Sequence, residues 1–260
     1  MSLMAKKVLF IVEGHNDEPD LIKQLYSECF SGENDTYDFY VFDTNIHQLA
    51  PLLVEDGTVD EDLDLLLVLK SETNAPDERA LLSQKYSDVY LIFDFDPQQR
   101  DADLQLIHIL LSYFTDSTNM GKLFINYPMM QSYKHLTALP DVGFVGRCVD
   151  HADVLHYKEL VDSQALPELK QTKKYTFETF ISLTYHHLMQ ARHILNSTKA
   201  NVTTIDDLSI DYPKVFDNQL ITWTTNSRCF VLNTSLFILI EYKPKQFLQQ
   251  ISRHGSDYRI

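Results

Sequence analysis

The chain has 260 residues, of which 44% are hydrophobic and 12% aromatic, enough to bury the core of one large domain or of a domain with a substantial appendage. Its 22 basic and 37 acidic side chains give a net charge of −15, which argues against unaided binding to a phosphate backbone. No apolar run approaches the roughly 18 residues of a membrane span, and the three cysteines, Cys29, Cys148 and Cys229, contain no CxxC pair, which argues against a cysteine zinc site and a disulfide framework.

Lys7–Val12 reads as a buried strand, continuous and rich in β-branched and aromatic residues. The run "VLFIVEGHND" carries this strand straight into Glu13 and Gly14. Asn16 or Asp17 is placed to cap a helix, since Leu21, Ile22, Leu25, Tyr26 and Phe30 repeat at helical spacing. Tyr37–Phe42 is a second strand, and Ile46–Val54 and Glu61–Leu69 read as helices. Asp88–Phe93 is a third buried strand, and it also runs onto acids, Asp94-Phe95-Asp96. A helix over Asp101–Phe114 and a fourth strand over Lys122–Ile125 follow. Tyr127-Pro128 marks a turn into a helix that buries Met129, Met130 and Tyr133.

Residues 137–260 read as mainly helical. "VLHYKELVDS" and "TFETFISLTYHHLMQARHILN" have helical spacing, and "YPKVFDNQLITWTT" gives a further helix with Trp223 packed inward. "NTSLFILIEY" reads as a short apolar helix capped by Asn233 or Thr234, with Pro244 breaking or restarting it. His186 and His193 are seven apart on one helical face, a spacing that suits core or surface histidines better than a metal pair. Lys170, Lys173 and Lys174 form the clear basic cluster, read as a solvated loop or a phosphate contact.

Strands alternating with helices imply a parallel sheet with covered faces. The expected organisation is an α/β, Rossmann-like domain over 1–136 and a mainly helical domain over 137–260. In open α/β sheets ligands bind beyond the carboxyl ends of the strands. Glu13 lies at one such end, and Asp94 and Asp96 at another, where two residues apart on extended backbone share a face. Convergent carboxylates repel one another unless a hard cation such as Mg²⁺ or Mn²⁺ joins them. The charge is also uneven: residues 1–103 hold 23 acidic and 7 basic side chains, net −16, while the remainder is close to neutral. Most of these acids, including "VEDGTVDEDLDLL", read as solvated surface, and Glu18, Asp20, Asp101 and Asp103 as acids favoured at helix starts.

"LFIVEGHND" followed some eighty residues later by "VYLIFDFD" resembles the Toprim domain of topoisomerases, bacterial primases, recombination mediators and OLD-family nucleases. The resemblance covers residues 1 to about 136. It implies that Glu13 serves acid/base or metal chemistry, that Asp94 and Asp96 bind a divalent metal, and that Asp17, four residues after Glu13, helps hold it, as in the nuclease branch. Gln98 stands where topoisomerases have a third alternating Asp. The chain shows no primase zinc module, leaves little room for a topoisomerase gate, and contains no GxxxxGK[ST] stretch. The implied activity is a Mg²⁺- or Mn²⁺-dependent nuclease acting on DNA or RNA, of the kind found in phage defence, with any ATPase supplied by a separate partner protein. Asn126 and Lys134 are candidates to line the groove and contact a substrate phosphate. The helical region is expected to flank the site as a specificity or dimerisation element. With no signal peptide read after Lys6 and Lys7, the expected location is cytoplasmic and off the membrane.

Two other readings compete. "VYLIFDFD" also resembles the nucleophile motif of haloacid-dehalogenase-type phosphatases, in which Asp94 would carry the phosphoryl group. That motif continues with a small residue and Thr, whereas Pro97-Gln98-Gln99 follows here and Glu13 is left without a role. The second is a non-catalytic Toprim module that binds nucleic acid or protein, which the net negative charge favours.

Overall fold

The computed structural model describes residues 5–30, 35–98, 103–197 and 201–253. The architecture is α/β: a mostly parallel five-stranded sheet flanked by helices, followed by a mainly helical C-terminal region. Contacts within the chain fall into two compact units that interleave along the sequence. Unit 1 holds Met1–Pro19, Gly32–Asp94 and Gln98–Phe124, and unit 2 holds Asp20–Ser31, Phe95–Pro97 and Ile125–Ile260.

Strand β1 (Lys7–Val12) is an interior strand of the sheet, and Val8–Val12 have no exposed surface. Helix α1 (Asp17–Cys29) follows, then β2 (Thr36–Val41), a half-buried strand at one edge of the sheet. Helix α2 (Ile46–Leu53) is capped by Asn45, whose side chain accepts from the amide of Gln48. Helix α3 (Leu65–Glu72) begins at Leu65, later than the sequence periodicity places it. Asp64 caps it through the amide of Leu67, and Asp60–Asp62 form a turn before it. A short helix, α4 (Pro76–Leu82), has no counterpart in the sequence reading, where no apolar stripe marks it. Pro76 in its first turn and Asp77 and Glu78 beside its amino end favour it locally.

Strand β3 (Asp88–Asp94) lies beside β1. Helix α5 (Leu104–Tyr113) is capped by Asp103; the expected start at Asp101 lies outside the described residues. A two-residue strand, β4 (Thr115–Asp116), turns back antiparallel onto β5 (Gly121–Asn126). The strand order is β2-β1-β3-β5-β4. Strand β1 runs parallel to both neighbours, with Val12 opposite Val41 of β2 and Ile92 of β3. A stack of Phe39, Phe10, Tyr90 and Phe124 crosses the sheet, with adjacent ring centroids 5.5–6.0 Å apart. The buried rings of Phe10, Tyr90 and Phe124 each contribute on the order of 2 kcal/mol or more by leaving water.

In unit 2 a 3₁₀ turn over Met130–Lys134 replaces the helix expected after Pro128; it buries Met130 and Tyr133 and leaves Met129 half-buried. Strand β6 (Cys148–Asp150), helices α6 (His151–Val154), α7 (Tyr157–Gln164), α8 (Phe177–Ile194) and α9 (Tyr212–Asn226), strand β7 (Arg228–Phe230), and helices α10 (Ile238–Tyr242) and α11 (Pro244–Arg253) complete the chain. Strands β6 and β7 pair antiparallel as a separate ribbon. Trp223 departs from the inward packing expected of it. It is half-buried and stacks on the ring of His151 at 4.8 Å, because the core face of α9 is taken by Val215, Phe216 and Gln219. No helix among the described residues is long and apolar enough to cross a membrane.

Candidate functional site

Parallel pairing of β1 with β2 and β3 brings the residues after Val12, Val41 and Phe93 to one edge of the sheet. Within unit 1 this gathers Glu13, Asp43 and Asp94. Glu13 is half-buried, and its Oε2 accepts a hydrogen bond from the backbone amide of Asp94 at 3.1 Å. Two segments 81 residues apart thus place their carboxylate-bearing residues side by side. Gly14 is next. A Cβ there would stand 3.0 Å from Oε2 of Glu18, so the glycine leaves room for a second carboxylate. Glu18 is 5% exposed at the start of α1, and Asp17 beside it is half-buried. His15 has its Nε2 3.4 Å from Oδ1 of Asp43.

Glu18 and Asp43 stand at this edge, although the sequence reading does not name them as candidates. Glu18 was set aside as an acid favoured at a helix start. Asp43 lies one residue past the aromatic end of the second strand, and its left-handed backbone, φ 58°, is a signal that only coordinates carry.

The chain does not continue extended through "DFD". Phe95 is buried, and its amide bonds to the carbonyl of Asn126 at 2.9 Å. Asp96 takes a left-handed conformation, φ 39°, with its amide 3.4 Å from the carbonyl of Pro128. The extended-backbone argument for a shared Asp94/Asp96 face therefore stops at the end of β3. Asp94 belongs to unit 1 and Asp96 to unit 2.

Among the described residues, no group of three or more His, Cys, Asp or Glu side chains is placed to hold a metal ion. Part of the reason is visible at the edge itself: Glu13 reaches for an amide, His15 for Asp43, and Glu18 lies over Gly14. The donors at the edge are hard carboxylate oxygens. Glu13 and Asp94 supply two carboxylate-bearing residues here, and a hydrated Mg²⁺ or Mn²⁺ in general takes one or two carboxylates and leaves its other positions to water or phosphate. They do not make an all-protein cage.

The other candidates sit in unit 2. Asn126 has no exposed surface. Its Oδ1 accepts from the amides of Thr234 and Ser235 at 3.1 and 3.3 Å, and its amide nitrogen meets the sulfur of Met130 at 3.3 Å. That arrangement caps the start of the turn at Ser235–Phe237. Lys134 pairs with Asp162 at 3.7 Å and lies over the ring of Tyr133. In the basic cluster, Lys173 faces Asp20 at 3.8 Å, Lys170 donates to the carbonyl of Asp162, and Lys174 lines a cavity of about 410 Å³ with Leu139, Leu169 and Tyr175. None of the predicted site residues lines that cavity. His186 and His187 are fully buried in the core of unit 2, whereas His193 is exposed with its ring 5.7 Å from that of Phe230.

Comparison with family models, with curated proteins and with solved structures returns no match for this chain.

Proposed function

We propose that the chain is a Toprim-like, divalent-metal-dependent nuclease that hydrolyses phosphodiester bonds of DNA or RNA at the edge formed by Glu13 and Asp94. The observation that carries this reading is the 3.1 Å hydrogen bond from the amide of Asp94 to the carboxylate of Glu13. It supports the view that the carboxyl ends of β1 and β3 form one locus. A Mg²⁺ or Mn²⁺ ion bound there would activate water and neutralise charge on the phosphate. On this reading Glu13 accepts a proton from the attacking water, and Asp94 orients the hydrated ion. Asp17 is proposed as an outer carboxylate that reaches the ion through water. On this reading nucleic acid is the substrate, and coupling to ATP hydrolysis, where it occurs, belongs to a partner protein.

The test is cleavage of plasmid, single-stranded DNA and RNA by purified protein with Mg²⁺ and with Mn²⁺. Glu13→Ala and Asp94→Ala are each expected to lower the rate by at least ~100-fold, the scale of a lost acid/base or metal-orienting group. Cutting that survives both substitutions sinks the assignment. The acidic character of residues 1–103 favours one alternative, a non-catalytic binding module. It would give a nucleic-acid or protein complex without turnover that Glu13→Ala leaves intact. Hydrolysis of small phosphomonoesters without nuclease activity would instead point to the phosphatase chemistry of Asp94.

A further inference from the structure

Three histidines that the nuclease reading does not use lie inside unit 2. His186 and His187, both on α8, have no exposed surface, and His135 is 1% exposed. A backbone N–H can only donate, so the ring nitrogen it meets must carry a lone pair. The amide of Asp141 donates to Nε2 of His186 at 2.8 Å, while Nδ1 of the same ring donates to the carbonyl of Ser182 at 2.7 Å. The amide of Asn233 donates to Nδ1 of His187 at 2.9 Å. Both rings are thereby held neutral. An imidazolium carries N–H on both nitrogens and would turn one of them against a backbone N–H. His135 differs, because its Nδ1 meets the hydroxyl of Tyr157 at 3.0 Å, and a hydroxyl can rotate to accept.

These two bonds hold segments that lack strand or helix pairing at those amides. Asp141 lies in the irregular stretch between His135 and Arg147, and Asn233 in the stretch between β7 and the 3₁₀ turn at Ser235. Side chains of α8 take the place of a backbone ladder. Gln190 does the same without titrating, accepting from the amide of Gly146 at 2.7 Å and donating to the carbonyl of Arg147 at 2.8 Å. The groups that face His186 are Asp141, which favours charge there, and Arg147, which opposes it, with the ring of Phe144 at 6.0 Å. His187 faces His186, His135, the carbonyl of Tyr133 and the ring of Phe144 at 4.8 Å. Burial lowers the proton affinity of all three imidazoles, and for His187, where His186 adds to the effect, to about 3.

We propose that His186 and His187 form an acid-released clasp, which near neutral pH holds the segments around Asp141 and Asn233 onto α8 and lets both go when the rings are protonated. The released state binds two protons that the clasped state excludes, so acid favours release. Below the ordinary imidazole value near ~6.5, each ring shifts the equilibrium about tenfold per pH unit, and the pair about a hundredfold. The device stands apart from the nuclease reading.

The experiment is hydrogen–deuterium exchange on the full chain at about pH 7.5 and about pH 5, corrected for intrinsic exchange, the range in which an ordinary imidazole titrates. Protection of the amides of Asp141 and Asn233 is expected to fall by at least about a hundredfold, while Val8–Val12 of β1 keep theirs. His186→Gln and His187→Gln retain a side-chain acceptor but cannot titrate, and each is expected to remove about a tenfold share of the response per pH unit. Where neither variant folds, the wild-type profile decides. Unchanged protection at Asp141 and Asn233, or equal loss throughout β1, overturns the clasp.

Discussion

Asp141 shows how one buried side chain orders an irregular segment. Its carboxylate accepts from the amide and hydroxyl of Thr137 at 2.7 and 3.0 Å and from the amide of Gly143 at 3.0 Å, and it pairs with Arg147 at 2.9 Å. Burial alone would raise its pKa, but these bonds and the guanidinium overcome burial and hold the carboxyl below the ordinary value of 3.8. A depressed folded-state value means that the stabilisation is complete above the unfolded value and lost as pH falls through the folded one. Asp141→Asn is therefore expected to lower stability by about 2–4 kcal/mol at neutral pH. The deficit should stay level down to pH ~5 and narrow only below ~4. Urea unfolding across that range checks it, and a deficit that already narrows at pH ~6 contradicts it. At this scale the approach of Glu13 to Asp94 is legible, because residues that directly follow two buried parallel strands come to one edge of the sheet. Asn126 is not, since a polar residue after a strand reads equally as a ligand contact or as a buried cap. Only the amides of Thr234 and Ser235, more than a hundred residues away, reveal the second.

Helices and strands with their own punctuation were readable, and those held by partners were not. Strand β1, helix α2 and helix α8 carry continuous apolar runs or stripes with recognisable starts, and they lie within a residue or two of their expected positions. Strands β6 and β7 have three residues each, too few for a period to show, and exist because they pair with one another. Helix α8 is closed at its amino end by Thr176, whose hydroxyl accepts from the amide of Thr179 while the hydroxyl of Thr179 returns a bond to the amide of Thr176. Thr176→Ala breaks this reciprocal cap and is expected to cost about 1 kcal/mol. Chemical denaturation should register it as a lower midpoint with an unchanged slope.

For the whole molecule, net charge and the alternation of strands and helices are legible in the sequence, but the partition of the chain is not. Alternating strands and helices give the sheet, while nothing local in the sequence says that α1 packs with residues two hundred positions later. Within unit 2, Tyr26 and Phe30 of the α1 segment stack on Tyr242 with centroids 6.0 and 4.8 Å apart, and Gln24 donates to the carbonyl of Tyr175. The backbone passes from one unit to the other five times between Pro19 and Ile125. The two units accordingly alternate along the chain, and no single scission divides the residues of one from those of the other. A fragment stopped at Leu136 would keep Tyr26 and Phe30 but shed the rings and carbonyl that cover them, so it should collect in the pellet when the intact polypeptide stays in the supernatant. Recovery of that fragment as a well-dispersed, cooperatively melting species would mean that the amino-terminal portion stands without its later companions.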